Sequence, residues 1–186
     1  MSESDRIRWE AKYSDGAELP LGQPEPTLEW APVASGSGRA LDLACGRGRH
    51  CGALLALGYL VIAVDIATSA LHATRQRYDH ARERLWEVQA DLDLWPFAPE
   101  SFDLILQCDF LDRRLFPHMK TSTRPGGHIL IDTFGLDDTS REGPRNRSFR
   151  LEPGELELAF DDWEIIRRES RRRPSREALL ARKPLH

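Results

Sequence analysis

Ala40-Leu41-Asp42-Leu43-Ala44-Cys45-Gly46-Arg47-Gly48-Arg49-His50 decides how this chain is built. Ala40 to Leu43 is an apolar run, the pattern of a buried strand, and it carries one carboxylate, Asp42. The run breaks into a Gly-x-Gly turn at Gly46 and Gly48, and an apolar helical pattern follows through Leu54, Leu55 and Leu57. A strand ending in glycines against a helix start is a nucleotide cradle. Glycine lets the backbone approach a ligand closely, and the helix start offers N–H groups. Spacing excludes two versions of that cradle. A dinucleotide fingerprint needs Gly-x-Gly-x-x-Gly, but Cys51 holds the third position and Gly52 comes one residue late. No Gly-Lys-Ser/Thr follows, so the turn is not a P-loop.

Asp42, Gly46 and Gly48 form Asp-x-x-x-Gly-x-Gly, which resembles the first motif of the class I S-adenosylmethionine-dependent methyltransferases. Leu60-Val61-Ile62-Ala63-Val64-Asp65-Ile66 is a second apolar strand ending in an acid, 17 residues beyond Gly48. Gln89-Ala90-Asp91-Leu92 resembles the family's adenine-side motif. Phe102 to Asp109 resembles its fourth strand, and Arg124-Pro125-Gly126-Gly127 with His128 to Ile131 its following turn and fifth strand. These elements cover about residues 40–134 in the family's order. A closer resemblance is to the small bacterial tellurite-resistance, TehB-like branch, related in layout to the thiopurine methyltransferases. Trp9-Glu10-Ala11-Lys12-Tyr13, Cys108 to Arg113, and Pro144-Arg145-Asn146 with Phe149 to Leu156 carry it. That branch places a histidine near its final strand, and residues 167–182 contain none.

The resemblance implies an α/β fold. It is a Rossmann-like seven-stranded, mostly parallel sheet with one antiparallel strand and helices on both faces. It also implies S-adenosylmethionine as cofactor, S-adenosylhomocysteine as product, and methyl transfer to a small-molecule acceptor. Asp42 would then meet the methionine ammonium, Asp65 the ribose hydroxyls, Ile66 the adenine face, and Asp91 with the Leu92 backbone the adenine amino group. Ala44, Cys45 and Cys108 would line the cofactor, and Arg49 would reach its carboxylate. Trp9 and Tyr13, four apart on one helical face, would close over it as a lid. Each of these has a structural alternative: an acid bonding loop amides, a helix cap, a turn aspartate, an exposed arginine, or an arm docked on the core. Asp109, at the end of the fourth strand, is the best-placed base if the acceptor must lose a proton; the alternative is a loop or cofactor hydrogen bond. Arg145, Asn146 and Arg147 are candidates to receive an anionic or polar acceptor, or else form a solvated loop. A cofactor-binding regulator or partner subunit without chemistry is the rival function, and a nicotinamide oxidoreductase is disfavoured by Cys51.

Composition bounds the rest. With 186 residues and 40% hydrophobic content, the chain suits one methyltransferase domain (39–186) behind an N-terminal arm or lid (1–38). A net charge of −4 does not favour a nucleic-acid partner. No apolar run reaches the roughly 18 residues of a membrane helix. Met1 to Glu10 lacks a signal-peptide core, so a cytoplasmic monomer or weak homodimer is expected. Cys45, Cys51 and Cys108 form no Cys-x-x-Cys pair, so neither metal nor disulfide is expected, and the thiols read as small buried side chains.

Local pattern predicts a short helix around Ile7–Tyr13, one turn at Leu28-Glu29-Trp30, and a helix from Thr68 or Ser69 to about Leu85. Trp95 to Pro99 reads as loop. Leu111 to Thr121 and Pro153 to Phe160 read as short helices, and Pro125-Gly126-Gly127 as a turn before a strand to Phe134. Trp163–Glu169 and Glu177–Arg182 are predicted strands joined by Arg171-Arg172-Arg173-Pro174-Ser175, a solvated hairpin.

Overall fold

A computed structural model describes residues 3–15, 21–94, 98–136, 143–172 and 175–185. Its strands are β1 (Arg39–Leu43), β2 (Leu60–Asp65), β3 (Leu85–Gln89), β4 (Phe102–Cys108), β5 (Thr123–Phe134), β6 (Glu164–Arg172) and β7 (Ser175–Arg182). They form one seven-stranded sheet in the order β3-β2-β1-β4-β5-β7-β6. The β1/β2, β2/β3 and β4/β5 pairs are parallel, and β7 runs antiparallel to both β5 and β6. This is the Rossmann-like, seven-stranded, mostly parallel sheet expected, with one reversed strand. The helices are α1 (Glu3–Asp15), α2 (Cys51–Ala56), α3 (Thr68–Arg77), α4 (Phe116–Ser122) and α5 (Glu155–Ala159). None of the described helices is long and apolar enough to cross a membrane.

The chain divides into two compact units, Met1–Glu25 with Val33–Pro96, and Pro26–Pro32 with Phe97–His186. In the first, Leu41, Leu43, Leu54 and Tyr59 are fully buried. The apolar runs of β1 and β2 are buried along most of their length, as parallel strands require. In the second, β4 and β7 are buried almost throughout, and Phe116, Phe160 and Trp163 pack ring to ring at 5.4 and 5.7 Å. β6 is the exposed edge, and its charged side chains blunt it against pairing with another chain. The predicted turn at Leu28 is a 3-10 turn, Pro26–Trp30, belonging to this second unit.

Several boundaries differ from expectation. α3 stops at Arg77 rather than Leu85, and Leu85 opens β3. Leu71, Tyr78 and Leu85 are spaced by sevens, but the chain leaves the helix at Tyr78 and makes a 3-10 turn at Asp79–Ala81. Ala67, not Thr68 or Ser69, is the N-cap. The expected 111–121 helix begins later. Asp112 accepts a hydrogen bond from the Arg114 N–H to start a 3-10 turn, and α4 follows with a proline in its first turn. α5 starts at Glu155 because left-handed Gly154 (φ 79°) separates Pro153 from it. The Pro125-Gly126-Gly127 turn lies inside β5, where the Gly126 N–H donates to the Lys183 carbonyl at 3.0 Å. β6 starts one residue after Trp163 and runs on to Arg172, while β7 starts at Ser175. Trp95 to Phe97, and Arg173 and Pro174 of the hairpin, lie outside the described residues.

Candidate functional site

The first unit holds the predicted cofactor residues other than Cys108, centred on the turn after β1. Ala44 (φ 52°), Gly46 (φ 55°) and Gly48 (φ 73°) are all left-handed, a sequence of bends that needs glycine at most of its positions. Backbone bonds close the turn: the Cys45 N–H donates to the Val64 carbonyl at 2.9 Å, and the Gly48 N–H to the Cys45 carbonyl at 3.0 Å. α3 supports it from beneath. The Thr74 hydroxyl donates to the Gly46 carbonyl at 3.2 Å, and the Tyr78 hydroxyl to the Gly48 carbonyl at 3.0 Å. A Cβ on Gly48 would sit 2.7 Å from Thr74 Cγ2. Thr74 and Tyr78 were missed as site residues. Their four-residue spacing in a helix following the second acid was the available signal.

Two carboxylates flank this turn. Asp65, at the end of β2, accepts from the Gly46 N–H at 2.8 Å and the Ala67 N–H at 2.9 Å. Burial raises its pKa, and these N–H bonds partly offset the rise. Two N–H donors leave carboxylate lone pairs that two ribose hydroxyls can use. Asp42 is 1% exposed inside β1 and takes a hydrogen bond from the Cys51 thiol at 3.5 Å. Burial pushes its carboxyl up to about 7; the Cys51 bond and Arg49 act against this, and the negative Asp65 adds to it. A buried acid held by a thiol rather than a cationic partner gains from an added cation. Burial also pushes the Cys45 and Cys51 thiols up, so neither is an activated nucleophile.

The other predicted residues of this unit lie on the segments around β1, β2, β3 and α1. Arg49 pairs with Glu25 at 3.5 Å and sits in the turn, one position short of α2's N-cap. Ile66 is buried after β2. Asp91 and Leu92 follow β3 beside β2: the Ala90 N–H donates to the Asp65 carbonyl at 3.1 Å. Asp91 Oδ1 accepts from the Asp93 N–H at 3.0 Å, the turn-aspartate arrangement, and Leu92 is buried. From α1, Trp9 and Tyr13 stack with ring centroids 5.8 Å apart. The Tyr13 hydroxyl lies over the turn, 2.8 Å from where a Gly46 Cβ would be. Burial raises the Tyr13 pKa, with Asp65 and Cys45 adding to the effect.

In the second unit, Cys108 is buried at the end of β4 and Asp109 follows it in a left-handed bend (φ 53°). Asp109 Oδ1 accepts from Arg176 Nη1 at 2.7 Å. Arg176 also donates to Asp132 Oδ1 at 2.7 Å and stacks over Phe134 at 5.0 Å. Asp132, wholly buried, further accepts from Arg171 and from the Thr27 hydroxyl at 2.6 Å. Burial lowers the Arg176 pKa, but Asp132 and Asp109 outweigh it, so the guanidinium stays charged. Held by Arg176, the Asp109 carboxylate is placed as a hydrogen-bonding group. Arg171, read as part of a solvated turn, instead serves this network; its partner lies 39 residues away, beyond any local pattern. The loop candidates separate. Arg145 and Arg147 are exposed, while the Asn146 side chain caps a 3-10 turn by accepting from the Ser148 N–H at 3.0 Å. Arg150 is buried and donates to the Pro144 and Gly135 carbonyls at 2.8 and 3.1 Å, which holds the loop. Among the described residues no His/Cys/Asp/Glu group could hold a metal ion.

Known proteins share this layout. The methyltransferase-domain family model matches residues 40–127. The demethylmenaquinone methyltransferase of Clavibacter sepedonicus is 35% identical over 109 residues, 56% of this chain and 43% of that protein. The chain spans between 25% and 55% of the length of the curated relatives it matches. TehB from Haemophilus influenzae superposes with a TM-score of 0.70 at 23% identity, covering 94% of this chain and 67% of that one. A Burkholderia thailandensis 1,6-didemethyltoxoflavin-N1-methyltransferase, solved with S-adenosylhomocysteine, gives 0.70 at 21% identity over 96% and 87%. At these identities the two structures speak for the fold. The family model's match takes in the strand–turn–strand segment that builds the cradle. Residues 40–127 thus match a methyltransferase domain, and over that segment the chain is similar to S-adenosylmethionine-dependent methyltransferases.

Proposed function

We propose that this chain binds S-adenosylmethionine at the Gly46–Gly48 turn and transfers its methyl group to a small-molecule acceptor. One observation carries the reading: Asp42 is buried beside a glycine turn with its pKa raised to about 7 and a thiol as its hydrogen-bond partner. An ammonium group is the cation that this position suits. Asp65 would hold the ribose hydroxyls, Ile66 the adenine face, and Asp91 with the Leu92 backbone the adenine edge. Arg49 would shift from Glu25 to the cofactor carboxylate, and Trp9 and Tyr13 would cover the donor.

The cofactor supplies an activated methyl on a sulfonium, with a neutral thioether as leaving group. The protein's task is therefore alignment, which contributes up to roughly 7–11 kcal/mol in favourable cases without a dedicated base. On the acceptor side, Asp109 would orient the substrate by hydrogen bonding, and the exposed Arg145 and Arg147 would attract a polar or anionic one. The small molecules in the names of the Clavibacter and Burkholderia proteins support a small-molecule acceptor.

The test is S-adenosylhomocysteine release with a panel of thiols, chalcogen oxyanions, small amines, phenols and carboxylates. Turnover with one class is expected. Arg145→Ala and Arg147→Ala should raise its KM severalfold and leave cofactor affinity nearly unchanged. Tight cofactor binding with no release across the panel would favour a non-catalytic regulator.

A further inference from the structure

The Trp-x-x-x-Tyr face of α1 needs something to hold it against the turn, and the structure points to the residue between. α3 begins without a cap of its own. Its N-cap, Ala67, has no side-chain oxygen, and the Ala67 N–H is spent on Asp65. The orphan N–H of Ser69 in α3's first turn is instead satisfied from α1: it donates to Glu10 Oε1 at 3.0 Å. The Ser69 hydroxyl donates to the Glu10 backbone carbonyl at 3.3 Å, so both ends of Glu10 are held. A carboxylate at a helix N-terminus is also favoured by the helix dipole. Tyr13 lies three residues beyond this clasp on α1. Its hydroxyl rests over Gly46, whose N–H is bonded to Asp65. Residues 65–69 thus tie together the glycine turn, the start of α3 and α1.

We infer that Glu10 is a positioning residue for the cofactor: by capping α3 from a distance it sets Tyr13 over the Gly46 turn, and so controls how fast the cofactor site opens. The inference rests on the cofactor reading given above. Release of bound S-adenosylhomocysteine then requires the Glu10–Ser69 clasp to part, and the clasp sets the lifetime of the complex.

The experiment measures S-adenosylhomocysteine affinity by calorimetry and its release rate by displacement of radiolabelled ligand. Glu10→Ala should speed release about tenfold, the worth of one charge-assisted hydrogen bond. Glu10→Gln keeps an acceptor for the Ser69 N–H and should recover most of the slow release. Glu10→Ala with Ala67→Ser gives α3 its own cap, so it should restore Tm while release stays fast. In a Tyr13→Ala background, Glu10→Ala should add less than about twofold, because Glu10 acts through Tyr13. Wild-type release from folded Glu10→Ala overturns the inference. So does slow release recovered by Ala67→Ser, since Glu10 would then be only a helix cap. Failure of the wild-type chain to bind S-adenosylhomocysteine overturns the cofactor reading itself, a separate result.

Discussion

Two pairs of aspartates at strand ends are treated in opposite ways. In the first unit, Asp42 and Asp65 take their hydrogen bonds from a thiol and from backbone N–H groups. In the second, Asp109 and Asp132 are bridged by the guanidinium of Arg176, and Arg171 adds a second cation to Asp132. The difference gives the two clusters different electrostatic demands. Acids already matched by arginine lock the β4, β5 and β7 ends together, and their charge is spent internally. Acids held by a thiol and by backbone N–H groups carry a desolvation cost, and an added cation at the glycine turn would lower it.

Removing Arg176 should break the comparison most visibly. Arg176→Met leaves two carboxylates without their shared cation, one fully buried, and should cost about 3–5 kcal/mol in urea unfolding of the full chain. S-adenosylhomocysteine affinity in the folded fraction should stay within about twofold. A stability loss under about 1 kcal/mol would show the network to be incidental.

The next effect belongs to the turn. Gly46→Val puts a side chain where Tyr13 lies and forces a branched residue to a φ of 55°. Calorimetry should show cofactor affinity reduced about a hundredfold, close to 3 kcal/mol, with circular dichroism confirming the fold. Undiminished affinity in a folded variant would remove the turn from the site.

The cradle was legible because its signals are local. The apolar run through Leu43, the two glycines and the acid after Val64 lie in short stretches whose spacing distinguishes them from a dinucleotide fingerprint. The mostly parallel seven-stranded sheet with one reversed strand followed from the family resemblance those stretches support. What escaped was non-local or ambiguous. Nothing near Arg176 or Arg171 reveals that both serve Asp132, respectively 44 and 39 residues away. Leu85 fitted a heptad with Leu71 and Tyr78, yet its burial comes from pairing opposite Val61 in the sheet. Glu10 sits in a polar helix and showed no pattern, because the group it satisfies belongs to Ser69, 59 residues on.

Asp42 offers the most direct test. Burial holds its carboxyl near 7 against an ordinary 3.8. Between those values the native chain keeps a proton that the unfolded chain has lost, so Asp42 lowers stability as pH rises through that window. A bound ammonium reverses the preference by favouring the ionised form. Calorimetric titration with S-adenosylhomocysteine from about pH 5.5 to 8.5 should therefore show affinity rising up to about tenfold per pH unit below 7, then levelling. Asp42→Asn should bind more weakly and lose that rise. A flat wild-type profile, or an Asp42→Asn profile that keeps the same rise, would contradict the assignment of Asp42 as the cofactor's counter-charge.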